Sequence, residues 1–150
     1  MKRRFLYYIF FLILLSAAVG HVCGEDTVRE IHSFENWDYI TSESGLTLTA
    51  YHGFEREIEI PSAIYHITVT GLAEELFKNN NTVESIKIPD TVSVIGKAAF
   101  QGCGQLKEIR LPAGLKRIES NTFRICTALE LVEVPEKLTV IAGYAFSGCL

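Results

Sequence analysis

A 23-residue period runs through the second half of the chain and limits the fold more than any other feature of the sequence. Three residue types keep this period independently of one another. They are the phenylalanines Phe77, Phe100, Phe123 and Phe146, the cysteines Cys103, Cys126 and Cys149, and the prolines Pro89, Pro112 and Pro135. Self-similarity at a fixed period of about 20 to 50 residues is typical of a solenoid, in which each unit packs only on its neighbours.

Within each unit, the order of residues predicts a strand, a turn and a return segment. In the unit LKEIRLPAGLKRIESNTFRICTA, Ile109 and Leu111 alternate with charged residues, which is the period of a strand with one buried face. Pro112 follows at once, and because proline has no N–H it ends the strand ladder. The TF pair at Phe123 predicts a short helical turn whose ring fills the interior between rungs. We therefore expect an α/β solenoid with a parallel sheet on its concave side and short helical turns or loops on its convex side.

The unit resembles a known repeat. Its pattern LxxIxLPxxLxxIxxxxFxxCxx is similar to that of the BspA-like leucine-rich repeat of bacterial surface antigens, also called the TpLRR class, over residues 51–150. The period, the proline after the strand, the aromatic residue and the cysteine carry the resemblance together. One departure is Glu119, which stands where the preceding unit has Gly96. The resemblance implies a leucine-rich-repeat fold.

The sequence divides into three predicted segments. Residues 1–20 form a leader, residues 25–54 an N-terminal segment with a capping hairpin, and residues 55–150 about four leucine-rich-repeat units, the last of them incomplete. The hairpin is predicted over residues 37–53, where the sequence SESG separates two candidate strands. This segment also resembles the hairpin that often opens such arrays.

The leader has the layout of a secretory signal peptide. Basic residues at positions 2–4 precede an unbroken apolar run at 5–15, and small residues follow it. A membrane-spanning helix needs about 20 apolar residues, which this run does not reach, so an uncleaved anchor is the less favoured alternative. We expect cleavage after Gly20, or as late as Gly24, and hence a protein that is secreted or held at the cell surface or outer membrane.

Cys23 lies close enough to the cleavage sites to raise the question of a lipid anchor. Acyl chains on this cysteine would tether the protein to a membrane. Bacterial lipoprotein signals place a small residue immediately before the modified cysteine, and Val22 is a poor fit. Lipidation is therefore the less favoured alternative to a free thiol.

The cysteines and histidines predict neither a metal site nor a catalytic site. Cysteines stacked on successive rungs point in parallel, which is the wrong relative direction for a disulfide, and ligands on a line do not converge on a metal ion. The four histidines show no catalytic or metal-binding spacing, and the sequence has no GxSxG, HExxH or phosphate loop. We expect a buried, structural cysteine ladder, no cofactor and no enzymatic activity.

The outward positions of the strands form the candidate protein-binding face. Their three columns are Arg56, Glu84, Lys107 and Glu130; Glu59, Lys87, Arg110 and Glu133; and Glu57, Ser85, Glu108 and Leu131. Opposite charges on adjacent rungs can neutralise one another as cross-strand pairs, each contributing about 0.2 to 1 kcal/mol. The alternative is that this mixed-charge face recognises a polar protein surface.

The net charge and the family resemblance together limit the class of partner that we expect for the protein. A net charge of −4, which becomes 11 basic against 18 acidic side chains once the leader is removed, disfavours nucleic acid and other polyanions. The resemblance implies a protein ligand, including host extracellular-matrix or cell-surface proteins, and thus adhesion. The alternative is a structural piece that self-associates through the open edge of the last repeat, or the N-terminal part of a longer array, without ligand binding of its own.

Overall fold

The computed structural model of the protein describes residues 30–149, and within them every regular element is a β-strand. The predicted leader, its cleavage sites and Cys23 lie outside the described residues. Within residues 30–149 no helix is long and apolar enough to cross a membrane. The strands are β1 (His32–Phe34), β2 (Trp37–Ser42), β3 (Gly45–Tyr51), β4 (Glu57–Glu59), β5 (Ala63–Ile64), β6 (Ile67–Leu72), β7 (Ser85–Lys87), β8 (Val94–Ile95), β9 (Glu108–Arg110), β10 (Arg117–Ile118), β11 (Leu131–Glu133) and β12 (Val140–Ile141).

One strand from each repeat unit enters a four-stranded parallel sheet. The order across this sheet is β11, β9, β7, β4. Ile58, Ile86 and Ile109 lie in register and are buried, so the residues on either side of them point outward. The predicted solenoid with parallel strands is confirmed. We call each of these strands, with the segment that returns from it, a rung, and number the rungs 1 to 4 from β4 to β11.

A second ladder of short strands runs along the return side of the rungs. β6 pairs in parallel with β8 and β10 with β12, but β8 and β10 are not paired. Gly96 N donates to Leu72 O over 2.9 Å. Ala142 N donates to Ile118 O over the same distance, whereas Glu119 N, in the same column, makes no such bond. The ladder is therefore interrupted between rungs 2 and 3, where a cleft of about 330 Å³ opens.

An antiparallel hairpin lies against the N-terminal end of rung 1. β2 pairs with β3 around the turn at residues 43–44, and β1 pairs with the other edge of β2. β3 also pairs in parallel with β6, so the hairpin extends the second ladder. Trp37 and Tyr51 pack on Phe77, with ring centroids 6.0 and 5.4 Å from it. These aromatic contacts shield the core of rung 1 from water.

The segments that follow the second ladder are irregular turns, so the predicted helical turns and the α/β class are wrong. Two residues in each turn have left-handed backbone geometry, and a right-handed helix does not continue through them. The first column is Glu75, Ala98, Asn121 and Tyr144, with φ from 54° to 62°, and the second is Asn79, Gly102, Ile125 and Gly148, with φ from 60° to 80°. In rung 1, alternate N–H groups of the turn bond to the next rung, as where Phe77 N donates to Ala99 O over 2.7 Å, and those between them bond within the turn, as where Lys78 N donates to Glu75 O over 2.9 Å.

The phenylalanines and cysteines of the repeat form two columns inside the solenoid. The phenylalanine rings form one stack with neighbouring centroids 5.2 to 5.5 Å apart, and its members are Phe77, Phe100, Phe123 and Phe146. Each cysteine thiol donates a hydrogen bond over 3.1 Å to the phenylalanine carbonyl of the preceding rung, and the donors are Cys103, Cys126 and Cys149. These three cysteines are free. They form a ladder of hydrogen bonds, and each fully buried phenylalanine contributes about 1.5 to 3 kcal/mol through the hydrophobic effect.

Rung 4 departs from this pattern of burial. Val134 and Ile141 are 56% and 57% exposed. The equivalent residues of rung 3, Leu111 and Ile118, are only 2% and 1% exposed. The inward positions of a rung are covered by the rungs on both sides of it, and among residues 30–149 nothing stacks on the far side of rung 4.

Candidate protein-binding face

The four-stranded sheet carries eight residues of the predicted binding face, and the other four lie immediately before its strands. We call this set of twelve the strand face. Two columns lie in exact strand register: Glu57, Ser85, Glu108 and Leu131, and Glu59, Lys87, Arg110 and Glu133. The third column continues the rung-to-rung hydrogen bonds just before the strands: Arg56, Glu84, Lys107 and Glu130. Ten of these residues are exposed, while Glu84 and Ser85 are half-buried.

Glu84 joins three rungs through two ion pairs. Its carboxylate accepts hydrogen bonds from Arg56 Nη1 and Lys107 Nζ, each over 2.8 Å. The hydrogen bond and charge of Lys107, followed by those of Arg56, lower the pKa of Glu84 from its ordinary value. Since all three side chains are in contact with solvent, these pairs orient the side chains more than they stabilise the fold.

The column from Glu59 to Glu133 does not pair as a simple alternation of charges. Lys87 Nζ donates to Glu59 over 2.8 Å, which leaves Arg110 beside a like charge. Arg110 Nη2 therefore pairs with Asp90 over 3.4 Å rather than with Glu133. Asp90 is not in the columns predicted from the sequence, because it belongs to the turn after Pro89 and not to a strand.

Asp90 is held in place by the backbone of the next rung. Its Oδ1 accepts a hydrogen bond from Ala113 N over 2.8 Å. This bond, together with the charge of Arg110, lowers the pKa of Asp90 from its ordinary value. An aspartate directly after the strand-ending proline, where turns commonly use Asp to bind backbone N–H groups, was the signal in the sequence.

Four carboxylates of the strand face have no ion-pair partner within residues 30–149: Glu57, Glu108, Glu130 and Glu133. The hydrogen bond and charge of Glu84 raise the pKa of Lys107, and the charge of Glu130 adds a smaller contribution without forming an ion pair. Among residues 30–149, all four cations of this face are therefore in ion pairs, whereas four of its six carboxylates are unpaired and open to solvent.

An open cleft of about 290 Å³ adjoins the ends of β9 and β11. Arg110 and Glu133 of the strand face form part of its wall. Val134, Glu136 and Lys137 complete the wall on rung 4, and the sequence did not point to them because they follow the strand. The cleft is a shallow extension of the strand face with both apolar and charged walls.

Ser33, Asp38 and His52 lie together at the hairpin, in a combination that resembles hydrolase chemistry in composition but not in geometry. Ser33 Oγ donates to Asp38 Oδ1 over 2.7 Å, and His52 Nε2 lies 2.8 Å from Asp38 Oδ2. The serine and the histidine thus both contact the aspartate, whereas nucleophilic catalysis requires the serine to bond to the histidine. The hydrogen bond of Ser33, followed by that of His52, lowers the pKa of Asp38, and the cluster ties β1 and β2 to the segment after β3.

The buried thiols of the cysteine column are not reactive groups at neutral pH. Burial raises the pKa of Cys103 and of Cys126 to about 12, so both thiols stay protonated at neutral pH, and only the thiolate is nucleophilic or metal-binding. In the part of the chain that the structure describes, no group of three or more His, Cys, Asp or Glu side chains converges as metal ligands would.

Parallel strands contributed once per 23-residue unit, with a phenylalanine stack and a thiol ladder behind them, define the protein as a leucine-rich-repeat solenoid. The BspA type leucine-rich repeat region matches residues 49–150 in six copies. The chain therefore belongs to the BspA-type leucine-rich repeat family, as the sequence resemblance predicted. No curated protein matches the chain.

Solved structures of bacterial leucine-rich repeat proteins share the fold. A protein from Bacteroides ovatus is 28% identical with a TM-score of 0.73, and the match covers 79% of this chain and 33% of that one. A protein from Bacteroides capillosus is 23% identical with a TM-score of 0.66, covering 75% and 97% of the two chains. The T. pallidum leucine-rich repeat protein TpLRR is 23% identical with a TM-score of 0.64, covering 80% and 68%.

Proposed function

We propose that the protein is an exported, non-enzymatic module that binds another protein through the strand face. The observation that supports this most is the display of twelve side chains, ten of them exposed and eight of them in strand register, on one side of a sheet whose other face is buried core. A rigid sheet places such side chains at fixed spacing, and solenoids use extended surfaces of this kind to bind proteins. The family itself is built of repeats that generally serve as protein-interaction modules.

The site of action in this proposal is the cell surface or the medium. The signal-peptide layout of residues 1–20 supports export, and the acidic balance of the remaining chain suits a soluble, surface-exposed module. Host extracellular-matrix or cell-surface proteins are the ligands that the family resemblance implies, and adhesion is the function.

Binding to immobilised fibronectin, laminin and collagen, measured by surface plasmon resonance with the purified protein, tests this proposal. A Ser85→Trp variant places a bulky ring in the middle of the strand face and blocks a ligand of any charge. Ser147→Trp is the matched control, because Ser147 is exposed in the turn of rung 4, away from the sheet. We expect saturable binding that is abolished by Ser85→Trp and preserved in Ser147→Trp. Binding that is unaffected by either substitution would show that the strand face is not the binding site.

Self-association is a second candidate function, favoured by the exposure of core positions on rung 4. Val134 and Ile141 expose more than half of their surface, and β11 is the edge strand of the sheet. Light scattering after size exclusion would show a dimer or larger species that Ile141→Asp dissociates and Val94→Asp does not, since Val94 is 60% exposed but lies on rung 2. A strictly monomeric protein contradicts this candidate.

A further inference from the structure

The cations of the strand face are already committed within the molecule. Each of the four has a carboxylate within 3.4 Å or less: Arg56 and Lys107 contact Glu84, Lys87 contacts Glu59, and Arg110 contacts Asp90. An anionic ligand would have to break these pairs before it could bind a cation of this face. It would also approach a surface with six carboxylates and four cations.

The charges that stay open on the strand face are all negative. Glu108 is the first residue of β9, Glu130 immediately precedes β11, and Glu133 is the last residue of β11. Glu57 lies at the opposite edge of the sheet, on β4. Three of the four open carboxylates are therefore concentrated on rungs 3 and 4.

An apolar side chain lies among these three carboxylates. Leu131 is in direct strand register with Glu108, lies between Glu130 and Glu133 in the chain, and is 50% exposed. Its counterparts on the lower rungs are Ser85 and Glu57, so the middle column turns apolar only at β11. A single exposed apolar side chain is common on protein surfaces, so the significance of Leu131 comes from its position beside the open carboxylates and not from its exposure alone.

We infer that the partner is a protein segment that presents Lys or Arg side chains together with an apolar side chain to β9 and β11. Cations of this segment bind Glu108, Glu130 and Glu133 without breaking any existing pair, and its apolar side chain covers Leu131. Complementary charges of this kind set orientation and reject partners of the wrong sign. The inference rests on the proposed function, because it names the chemistry of the ligand for the same face.

Short soluble peptides that differ only in charge test the inference. The probes are a dye-labelled peptide in which Lys and Leu alternate, and its counterparts with Glu or Ser in place of Lys, measured by fluorescence anisotropy. The Lys/Leu peptide should bind saturably and about tenfold or more tightly than the other two. Its affinity should fall as salt shortens the screening length from about 8 Å at 0.15 M to about 3 Å at 1 M. Equal or tighter binding of the Glu/Leu peptide overturns the inference.

Charge reversal locates the contact on the face. The variant Glu108→Lys, Glu130→Lys and Glu133→Lys should lose most of the Lys/Leu binding, and the corresponding Gln variant, which adds no repulsion near Lys107, should lose binding in the same direction. The matched control reverses three exposed carboxylates away from the sheet and changes the net charge equally: Glu30→Lys, Glu43→Lys and Glu74→Lys. Equal losses in the two reversal sets would mean attraction by overall charge, and would overturn the inference. Circular dichroism on each variant verifies that it is folded.

The failure of this inference differs from the failure of the proposed function. If Ser85→Trp blocks binding to a matrix protein but the three Glu→Lys changes leave it intact, the face binds and the stated partner chemistry is wrong. If Ser85→Trp has no effect on any binding, the face itself is not the site.

Discussion

Glu119 occupies the position in rung 3 that Gly96 occupies in rung 2, and the ladder bond that Gly96 donates to Leu72 has no counterpart at Glu119. A Cβ added to Gly96 would lie only 2.4 Å from Glu74 N, which shows how closely the rungs approach in this column. Ala142 keeps the bond in rung 4, so the smallest side chain is accommodated there. The larger side chain of Glu119, paired with Arg117 over 2.8 Å, accounts for the open cleft beside it.

Replacing Glu119 with Ala should therefore stabilise the protein. The variant allows the missing bond to Ile95 O to form, which is worth about 1 kcal/mol, and loses only a surface ion pair of small value. Urea unfolding should show a higher midpoint with an unchanged slope. The reciprocal change Ala142→Glu should lower the midpoint, and a Glu119→Ala variant less stable than the parent contradicts this account of the gap.

Truncation of the phenylalanine stack should cost most in its middle. Phe100→Ala should destabilise the protein by about 3 to 5 kcal/mol, because its ring is fully buried between two others. Phe146→Ala should cost clearly less, since that ring stacks on one neighbour only and is half-buried. Chemical denaturation of both variants gives the loss in the free energy of unfolding. Equal losses would contradict the lower burial of Phe146 at the rung 4 end of the stack.

Thiol reactivity should follow position in the cysteine column. Native Cys103 and Cys126 should resist alkylation at pH 8, because burial raises their pKa to about 12 and blocks access, while the half-buried Cys149 should react first. Peptide mass spectrometry after labelling reads each site, and all three should react in denaturant. Rapid labelling of native Cys103 would contradict the buried ladder.

The same thiols should make the fold sensitive to alkali. Their folded pKa is raised above the unfolded value of about 8.5, so the neutral thiol stabilises the folded state fully below that pH. This stability is lost as pH rises from about 8.5 toward 12. Urea midpoints measured across that range should fall less for a Cys103→Ala variant than for the parent, and parallel curves would refute the linkage.

The contact of Asp38 with Ser33 and His52 should stabilise the hairpin at neutral pH and fail in acid. The folded pKa of Asp38 is lowered, so its contribution is present above the unfolded value of about 3.9 and disappears as pH falls through the lower folded value. Asp38→Asn should therefore be less stable than the parent at pH 7, and the two should converge in strong acid. Ser33→Ala should show a smaller effect of the same sign, and a stability difference that does not change with pH would contradict the assignment.

The solenoid, the strand of each rung and the two inner columns were predictable from residue types at one spacing. Ile109 alternates with charged neighbours, and Phe123 and Cys126 repeat at the same interval, so each position could be assigned a direction without knowledge of any contact. A periodic pattern is a one-dimensional property, and in a solenoid the packing of a residue depends mainly on its equivalents one period away.

The geometry of the turns and the charge partners were not predictable in this way. Ile125 adopts left-handed backbone although its residue type does not favour it, and its N–H donates to Ser147 O of the neighbouring rung, which helps to hold it there. Arg110 selects Asp90, which belongs to the turn of another rung, and that choice leaves Glu133 open. Such contacts depend on where side chains meet in three dimensions, and so the period determined the rungs while only the folded structure decided which charges of the strand face remain available to a partner.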